Sequence, residues 1–440
     1  MKLPNLLLGL LLLASASAYG AMAEKVVRSR IGGADVIAYP TSIKDVVTIT
    51  GSLPAGDAFA QTGNPAVATL TGMMLDKGTV RADKFAIAQQ LESVGATISF
   101  NVGTQTLGLR AKCLRKDAPN ILHLIVEQLR TPAFPTEEFE KAKKQLTGAL
   151  KHSLEDTDFR ADEAFERAVF PVGHPNHPVS AEAMLAAIDG ATLADVKAFH
   201  RKYYGPAHLT LVMVGDLDMV KIQSQLRKDL AGWTGGVPTL GADKAKPAVA
   251  ARAESINMAD KTSVSIILGQ PSGLRYSDPD TIALRAGTAI LGSGFTGRLM
   301  KIVRDREGLT YGTYAGMDND TYTDGDWKIG ASFAPELLDK GVASTRRELV
   351  RWCKDGVTQE ELEARKADLI GSYKVGLATT DGLAGVLLRT VQRGKPLTWL
   401  DDYPKAISAL TLEQVNGAIR RYLDPDKMVL VEAGTLPQPK

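Results

Sequence analysis

The sequence predicts an α+β protein of two tandem domains that share one fold, each a mainly antiparallel sheet with helices covering one face. The first observation behind this is a long internal repeat. Residues 191–203 (ATLADVKAFHRKY) resemble residues 410–422 (LTLEQVNGAIRRY), and Thr192/Thr411, Tyr203/Tyr422, Pro206/Pro425 and Gly215/Gly434 all lie 219 residues apart. Upstream, residues 135–138 (PTEE) resemble residues 357–360 (VTQE). A period this long is far beyond that of a solenoid and marks a duplicated domain. The second observation is local periodicity: runs alternating every second residue are followed by runs at helical spacing, the order expected of a sheet with helices layered on it.

Taken in order, the elements agree with this. Ile98, Phe100 and Val102 share one side of a strand, and Leu107, Leu109, Ala111 and Cys113 share one side of the next, which predicts a half-buried hairpin. Ile121, Leu122, Ile125 and Leu129 recur at helical spacing and predict a helix over residues 118–130. Thr358-x-x-Glu361 and Thr411-x-x-Gln414 read as capping boxes that open helices. Residues 208–214 and 428–433 are apolar strands, each ended by a glycine. Residues 233–258 are rich in Gly, Pro, Ala and Lys without clean periodicity, a linker composition. The expected layout is a leader over 1–23, a first domain over 24–236, a linker over 237–250 and a second domain over 251–440.

With 440 residues and 44% apolar content the chain has ample material for two cores. Lys and Arg number 52 against 50 Asp and Glu, a balance that argues against nucleic acid or an anionic membrane as the main partner. Residues 1–23 read as a secretory signal: Lys2, an apolar run over 6–13, then small residues with cleavage sites after Ala18 or Ala23. The run is too short to span a bilayer, and no later stretch is long and apolar enough. The expected location is therefore the periplasm or the exterior. Cys113 and Cys353 fall in different halves and are expected to be separate buried thiols, with a bridge as the alternative.

Two segments carry a resemblance. Residues 64–79 (NPAVATLTGMMLDKGT) resemble the active-site helix of the insulinase/pitrilysin zinc peptidases, in which H-x-x-E-H precedes a Lys-Gly-Thr-like stop. Anchored on Lys77-Gly78-Thr79, the two histidine positions hold Thr69 and Met73, and the general-base position holds Gly72. A threonine hydroxyl is a poor zinc ligand, a thioether prefers softer metals, and glycine has no side chain to accept a proton from water. The family's third ligand, a glutamate on the helix after Thr136, falls at Ala149, and no acid lies between Glu140 and Glu155. The resemblance thus implies a chain that holds no zinc and cannot cleave peptides alone.

The second segment, residues 292–316 (GSGFTGRLMKIVRDREGLTYGTYAG), is similar to the family's second-domain signature. In active members that signature supplies an Arg and a Tyr seven residues apart, which face the zinc site of the opposing domain. Arg304 and Tyr311 have this spacing. A guanidinium can bind a peptide carbonyl or carboxylate, and a Tyr hydroxyl can donate to the oxyanion formed when water attacks. The plainer alternative is a solvated Arg and a packed Tyr. Gly292, Gly294, Phe295 and Arg298 are assigned to a substrate-touching loop, although a helix stop with a tight turn also accounts for the glycines; Arg306 and Tyr314 are weaker candidates. His174-x-x-His177 is the one close histidine pair, but its proline-flanked loop offers no third ligand.

Over roughly residues 36–436 the resemblance implies half of a clamshell. The chain would be the zinc-free, substrate-binding subunit of a heterodimeric exported metalloendopeptidase. Its partner would be a zinc-bearing homologous subunit and its substrates unfolded peptides. The alternative is a non-proteolytic peptide-binding or assembly protein on the same fold.

Overall fold

A computed structural model describes residues 21–248 and 250–436, so most of the expected leader lies outside the described residues. The first half contains strands β1 (Val27–Ile31), β2 (Ala34–Pro40), β3 (Val46–Leu53), β4 (Thr97–Val102), β5 (Leu107–Leu114) and β6 (Thr210–Gly215). They form one sheet in the order β1-β2-β6-β3-β5-β4. The second half contains β7 (Arg252–Asn257), β8 (Val264–Pro271), β9 (Thr310–Asp318), β10 (Asp326–Phe333) and β11 (Val429–Gly434), in the order β7-β11-β8-β10-β9. Among the described residues β2–β6 and β7–β11 pair in parallel and the other strand pairings are antiparallel. The predicted α+β class and duplication hold.

The repeat has a structural meaning that can be read at two glycines. Gly215 ends β6 with φ +144°, and a Cβ there would sit 2.0 Å from the Val46 carbonyl oxygen. Gly434 ends β11 with φ +149°, and a Cβ would sit 2.6 Å from the Ser263 carbonyl oxygen. The same turn is thus built twice, with the residue that its positive φ and close backbone approach require. The predicted hairpin forms with Phe100 opposite Leu109, and the helix Ala118–Arg130 buries Ile121, Leu122, Ile125 and Leu129. Both predicted capping boxes are present.

Each sheet has one face covered by its own half's helices. In the first half this core joins Ile121 and Ile125 of the helix Ala118–Arg130 to Leu211, Met213 and Leu226. In the second it centres on Trp327 and Trp352, whose rings stack 5.7 Å apart.

The other face is covered by a helix from the opposite half. Thr157–Val169, from the first half, packs Ala161, Phe165 and Val169 onto Ile267, Val429 and Val431 of the second sheet. Thr380–Gln392, from the second half, packs Leu383, Ala384 and Leu387 onto Ile37, Tyr39, Val212 and Val214 of the first. A polar pair marks the start of each exchanged helix: Thr157 with Ser265 at 2.8 Å, and Thr380 with Thr48 at 2.9 Å. Central strands β6 and β8 are therefore buried along their whole length, the pattern of strands covered on both faces.

Further ties bind the halves. The segment holding the histidine pair enters the turn between β9 and β10. His174 stacks on Phe170 at 4.8 Å and lies 3.4 Å from the buried Asp324 carboxylate. Asn176 donates its amide protons to Asn319 O, Thr323 Oγ1 and Asp324 O. His177 Nδ1 lies 2.8 Å from the Phe170 carbonyl oxygen. His174 thus ties the halves together, while His177 fixes the shape of its own loop. The linker is packed as well: Leu240 N donates to Gln105 Oε1 at 2.7 Å, and Ala245 N donates to Asp324 at 2.9 Å. Cys113 and Cys353 are free thiols, each pushed up to about 12 by burial.

Candidate functional site

Two regions matter: the helix that the sequence resemblance equates with a zinc site, and the loop that bears Arg304. In the first, the helix Val67–Met73 packs against edge strand β4 and the helix Thr136–Ser153. Thr69 Oγ1 donates to Asp57 Oδ1 at 2.8 Å. Burial pushes the Asp57 carboxyl up to about 6, with the Thr69 hydrogen bond pulling the other way. Gly72 is buried, and a Cβ on it would lie 2.3 Å from Val102 Cγ2, so a larger side chain there has to displace the Val102 side chain. Met73 packs on the apolar cluster of Leu70, Met74 and Phe139. Ala149 is exposed on the flanking helix. Among the described residues no group of three His, Cys, Asp or Glu side chains is placed to hold a metal ion. The polar chemistry here is one half-buried Thr–Asp hydrogen bond.

The second region follows the helix Thr281–Gly292. Gly292 is a packing residue: a Cβ there would lie 2.2 Å from Ala315 N of β9. Gly294 turns the chain with φ +65° into open space, and Phe295 at the tip is 73% exposed. The chain then enters a π-helical turn, Met300–Arg306, closed by Glu307 N donating to Ile302 O at 3.0 Å. Met300 and Val303 anchor its inner side, which leaves Arg304 on the outer side, 31% exposed. Such wide turns inside helices recur at functional sites.

Strand β9 begins in a bulge, because its pairing with β10 shifts between Ala331 and Phe333. Thr310 Oγ1 donates to Ser332 O and holds the bulge, and the next residue, Tyr311, is turned out to 88% exposure. Bulges at sheet edges commonly re-aim a side chain in this way. The Arg304 guanidinium lies 5.2 Å from the Phe295 ring centroid and 5.4 Å from that of Tyr311. The sequence-predicted Arg and Tyr are thus brought together, with Phe295 also against the cation. Its nearest carboxylate, Asp305, is 3.7 Å away and exposed, so the Arg304 donors remain available. Two large rings standing in water and held in place by a cation form a surface suited to an extended polypeptide.

The other loop candidates have different tasks. Arg298, assigned to substrate from sequence, makes two hydrogen bonds to Glu361 at 2.7 and 2.6 Å. Glu361 also caps the helix Gln359–Gly376, so Arg298 fastens the loop to that helix and its fork is already occupied. Gly292 is closed off by Ala315 in the same way. Arg306 is exposed, and Tyr314 lies across Gly330 on the opposite face of β9, its hydroxyl pushed up to about 12 by burial. Sequence reading missed the Thr69–Asp57 pair and a buried carboxylate set at the junction of the halves. There Glu166 accepts from Asn319, which also donates to Asp326. Burial pushes Glu166 up to about 7 and Asp326 up to about 6.

Comparison with known proteins agrees with this geometry. Residues 36–174 match the insulinase family (peptidase family M16), and residues 190–369 match the peptidase M16 inactive domain. The non-peptidase homolog YmxG of Helicobacter pylori is 23% identical over 84% of this chain and 84% of its own length. A Bacillus subtilis relative, an uncharacterized zinc protease also called YmxG, is 23% identical over 80% of this chain and 84% of its own. Among solved structures, a peptidase M16 inactive domain from Pseudomonas fluorescens superposes with a TM-score of 0.86 at 26% identity, over 94% of this chain and 99% of that one. The two family matches together span well over half of the sequence. The chain belongs to the insulinase family, among its inactive members.

Proposed function

We propose that this member of the insulinase family is the zinc-free, substrate-binding subunit of a heterodimeric exported metalloendopeptidase. It presents Arg304 and Tyr311 to the zinc site of a homologous partner and acts on unfolded peptides. One observation carries this reading: the Phe295–Arg304–Tyr311 stack stands in solvent with its donors free, while the chain's own zinc position is packed shut. Tyr311 would donate to the oxyanion that forms when a zinc-bound water attacks the peptide carbonyl, and Arg304 would hold the peptide beside it. Purified alone, the chain is expected to carry no stoichiometric zinc.

Export is part of the same reading. The backbone N–H groups of Met22 and Ala23 donate to the Asp401 carboxylate at 2.9 and 2.8 Å. Cleavage after Ala18 keeps these contacts and cleavage after Ala23 removes them, so the exported protein is expected to begin at Tyr19. Its intact mass would show this.

The test of function is complementation. Mixed with a homologous chain that carries H-x-x-E-H, this protein should raise cleavage of an unstructured peptide far above either chain alone. Additive rates would instead favour a non-proteolytic peptide-binding or assembly protein, a reading supported by the relative named a non-peptidase homolog.

A further inference from the structure

The duplication gives the chain two helices packed against an edge strand. In the first half that helix is Val67–Met73 on β4, with the helix Thr136–Ser153 beside it. In the second it is Thr281–Gly292 on β9, with Gln359–Gly376 beside it. The second arrangement encloses a cavity of about 310 Å³, lined by one face of the Thr281–Gly292 helix and by residues 315–317 of β9. It is the counterpart of the vacated zinc position, and its chemistry is cationic.

Arg285 and Arg393 both line the cavity beside Tyr276, their guanidinium carbons 5.3 and 3.8 Å from its ring centroid. Arg285 is matched: it pairs with Asp320 and donates to Met317 O at 3.0 Å. Arg393 is not. Among the described residues its side chain has no ion pair and no hydrogen bond, and its Nε is buried without a partner. Burial disfavours its charge, as do neighbouring Arg285 and Arg389, while Tyr276 and the Asp320 carboxylate pull the other way. A cation left unpaired in this setting is costly unless an anion completes it. With Asp320 cancelling Arg285, one positive charge remains, presented on a planar fork that fits a carboxylate in two-point contact. Ile282, Leu369 and Ile407 give the rest of the wall an apolar part, beside the hydroxyls of Thr288, Ser293 and Tyr403.

We propose that this cavity binds a carboxylate attached to an apolar group, the C-terminal residue of a peptide being the source. That source rests on the peptide-binding role proposed above; the cavity's selectivity for a carboxylate does not. It is also independent of zinc and of any partner subunit.

The test is binding to the full chain alone, read by fluorescence anisotropy with a short labelled peptide ending in phenylalanine. The free acid should bind at least about tenfold more tightly than the same peptide with an amidated end. Arg393→Gln should bring the acid down to the level of the amide and leave the amide unchanged. Arg393→Lys, which keeps the charge and loses the fork, should fall between, and it serves as the test variant if Arg393→Gln lowers the melting temperature. Phenylacetate should displace the acid peptide, and inorganic phosphate at equal concentration should not. Phenylacetate binding without peptide binding would keep the site, assign it to a free acid and remove the peptide as its source. Equal binding of acid and amide by the wild type, or displacement by phosphate as readily as by phenylacetate, would overturn the proposal. Failure of complementation with a zinc-bearing chain would leave all of these results standing.

Discussion

The two halves place a helix against an edge strand in the same way and use the space between them differently. In the first half the space is filled: Gly72 meets Val102, Met73 joins an apolar cluster, and Thr69 is tied to a half-buried Asp57. In the second half the space stays open around Arg285 and Arg393, and the loop beside it displays Phe295, Arg304 and Tyr311. The difference shows which parts of a duplicated fold are tied to packing and which to chemistry. Gly72 and Gly292 each sit where a helix meets an edge strand so closely that an added Cβ would clash. Polar side chains are free to be lost from one half and kept in the other.

The largest expected effect tests whether the halves are one unit. Phe165 belongs to the first half in sequence and to the sheet of the second in space, and it is fully buried. Phe165→Ala should cost about 3–5 kcal/mol in denaturant unfolding and keep a single transition. Two separated transitions, with only the second-half signal displaced, would break the interlocked description.

A smaller effect sharpens the account of the vacated position. Gly72→Ala should cost about 1–3 kcal/mol, because its Cβ has no room beside Val102. Ala149→Glu, which puts a carboxylate on an exposed helix face where the resemblance sets a third ligand, should change stability by less than about 0.5 kcal/mol. If denaturant unfolding found Gly72→Ala neutral, the position would be open rather than packed shut.

The smallest expected effect is a pH dependence at the junction. Glu166 keeps its proton in the folded chain up to about pH 7, whereas unfolded it releases it near its ordinary value of 4.5. Between these limits the folded state binds more protons, so this group's contribution to stability falls as pH rises and is level above the folded value. Asp57 and Asp326 act in the same direction up to about pH 6. Glu166→Gln should therefore match the wild-type melting temperature near pH 4.5 and exceed it by roughly a few degrees at pH 8. Burial holds His200 below its usual range, which tilts stability the opposite way, but it does so alike in both proteins. An equal difference between the proteins at both pH values would contradict the assignment.

Much of this architecture was legible in the sequence because it is written locally or repeated. The capping boxes at Thr358 and Thr411 lie within a single turn, and the 219-residue offset equates Gly215 with Gly434. The exchange of helices was not legible. The spacing of Ala161, Ala164 and Phe165 says that an apolar stripe exists and leaves open which sheet it meets. The site divides in the same way. Arg304 and Tyr311 sit seven residues apart in a recognisable signature, so their meeting could be expected. The partner of Arg298 is 63 residues away at Glu361, and Arg285 and Arg393 are separated by most of a domain. Such pairings depend on tertiary packing, which no local period reports.

The central claim is that Arg304 and Tyr311 act on a peptide at a partner's zinc. It is tested most directly by the turnover of an unstructured peptide in the reconstituted pair, with subunit association measured on the same samples. Arg304→Ala and Tyr311→Phe should each lower turnover by about 10²–10³-fold, as expected for loss of a transition-state donor, while association is unchanged. Wild-type turnover from both variants in a fully associated complex would contradict the account and leave the exposed stack as a binding surface without a part in cleavage.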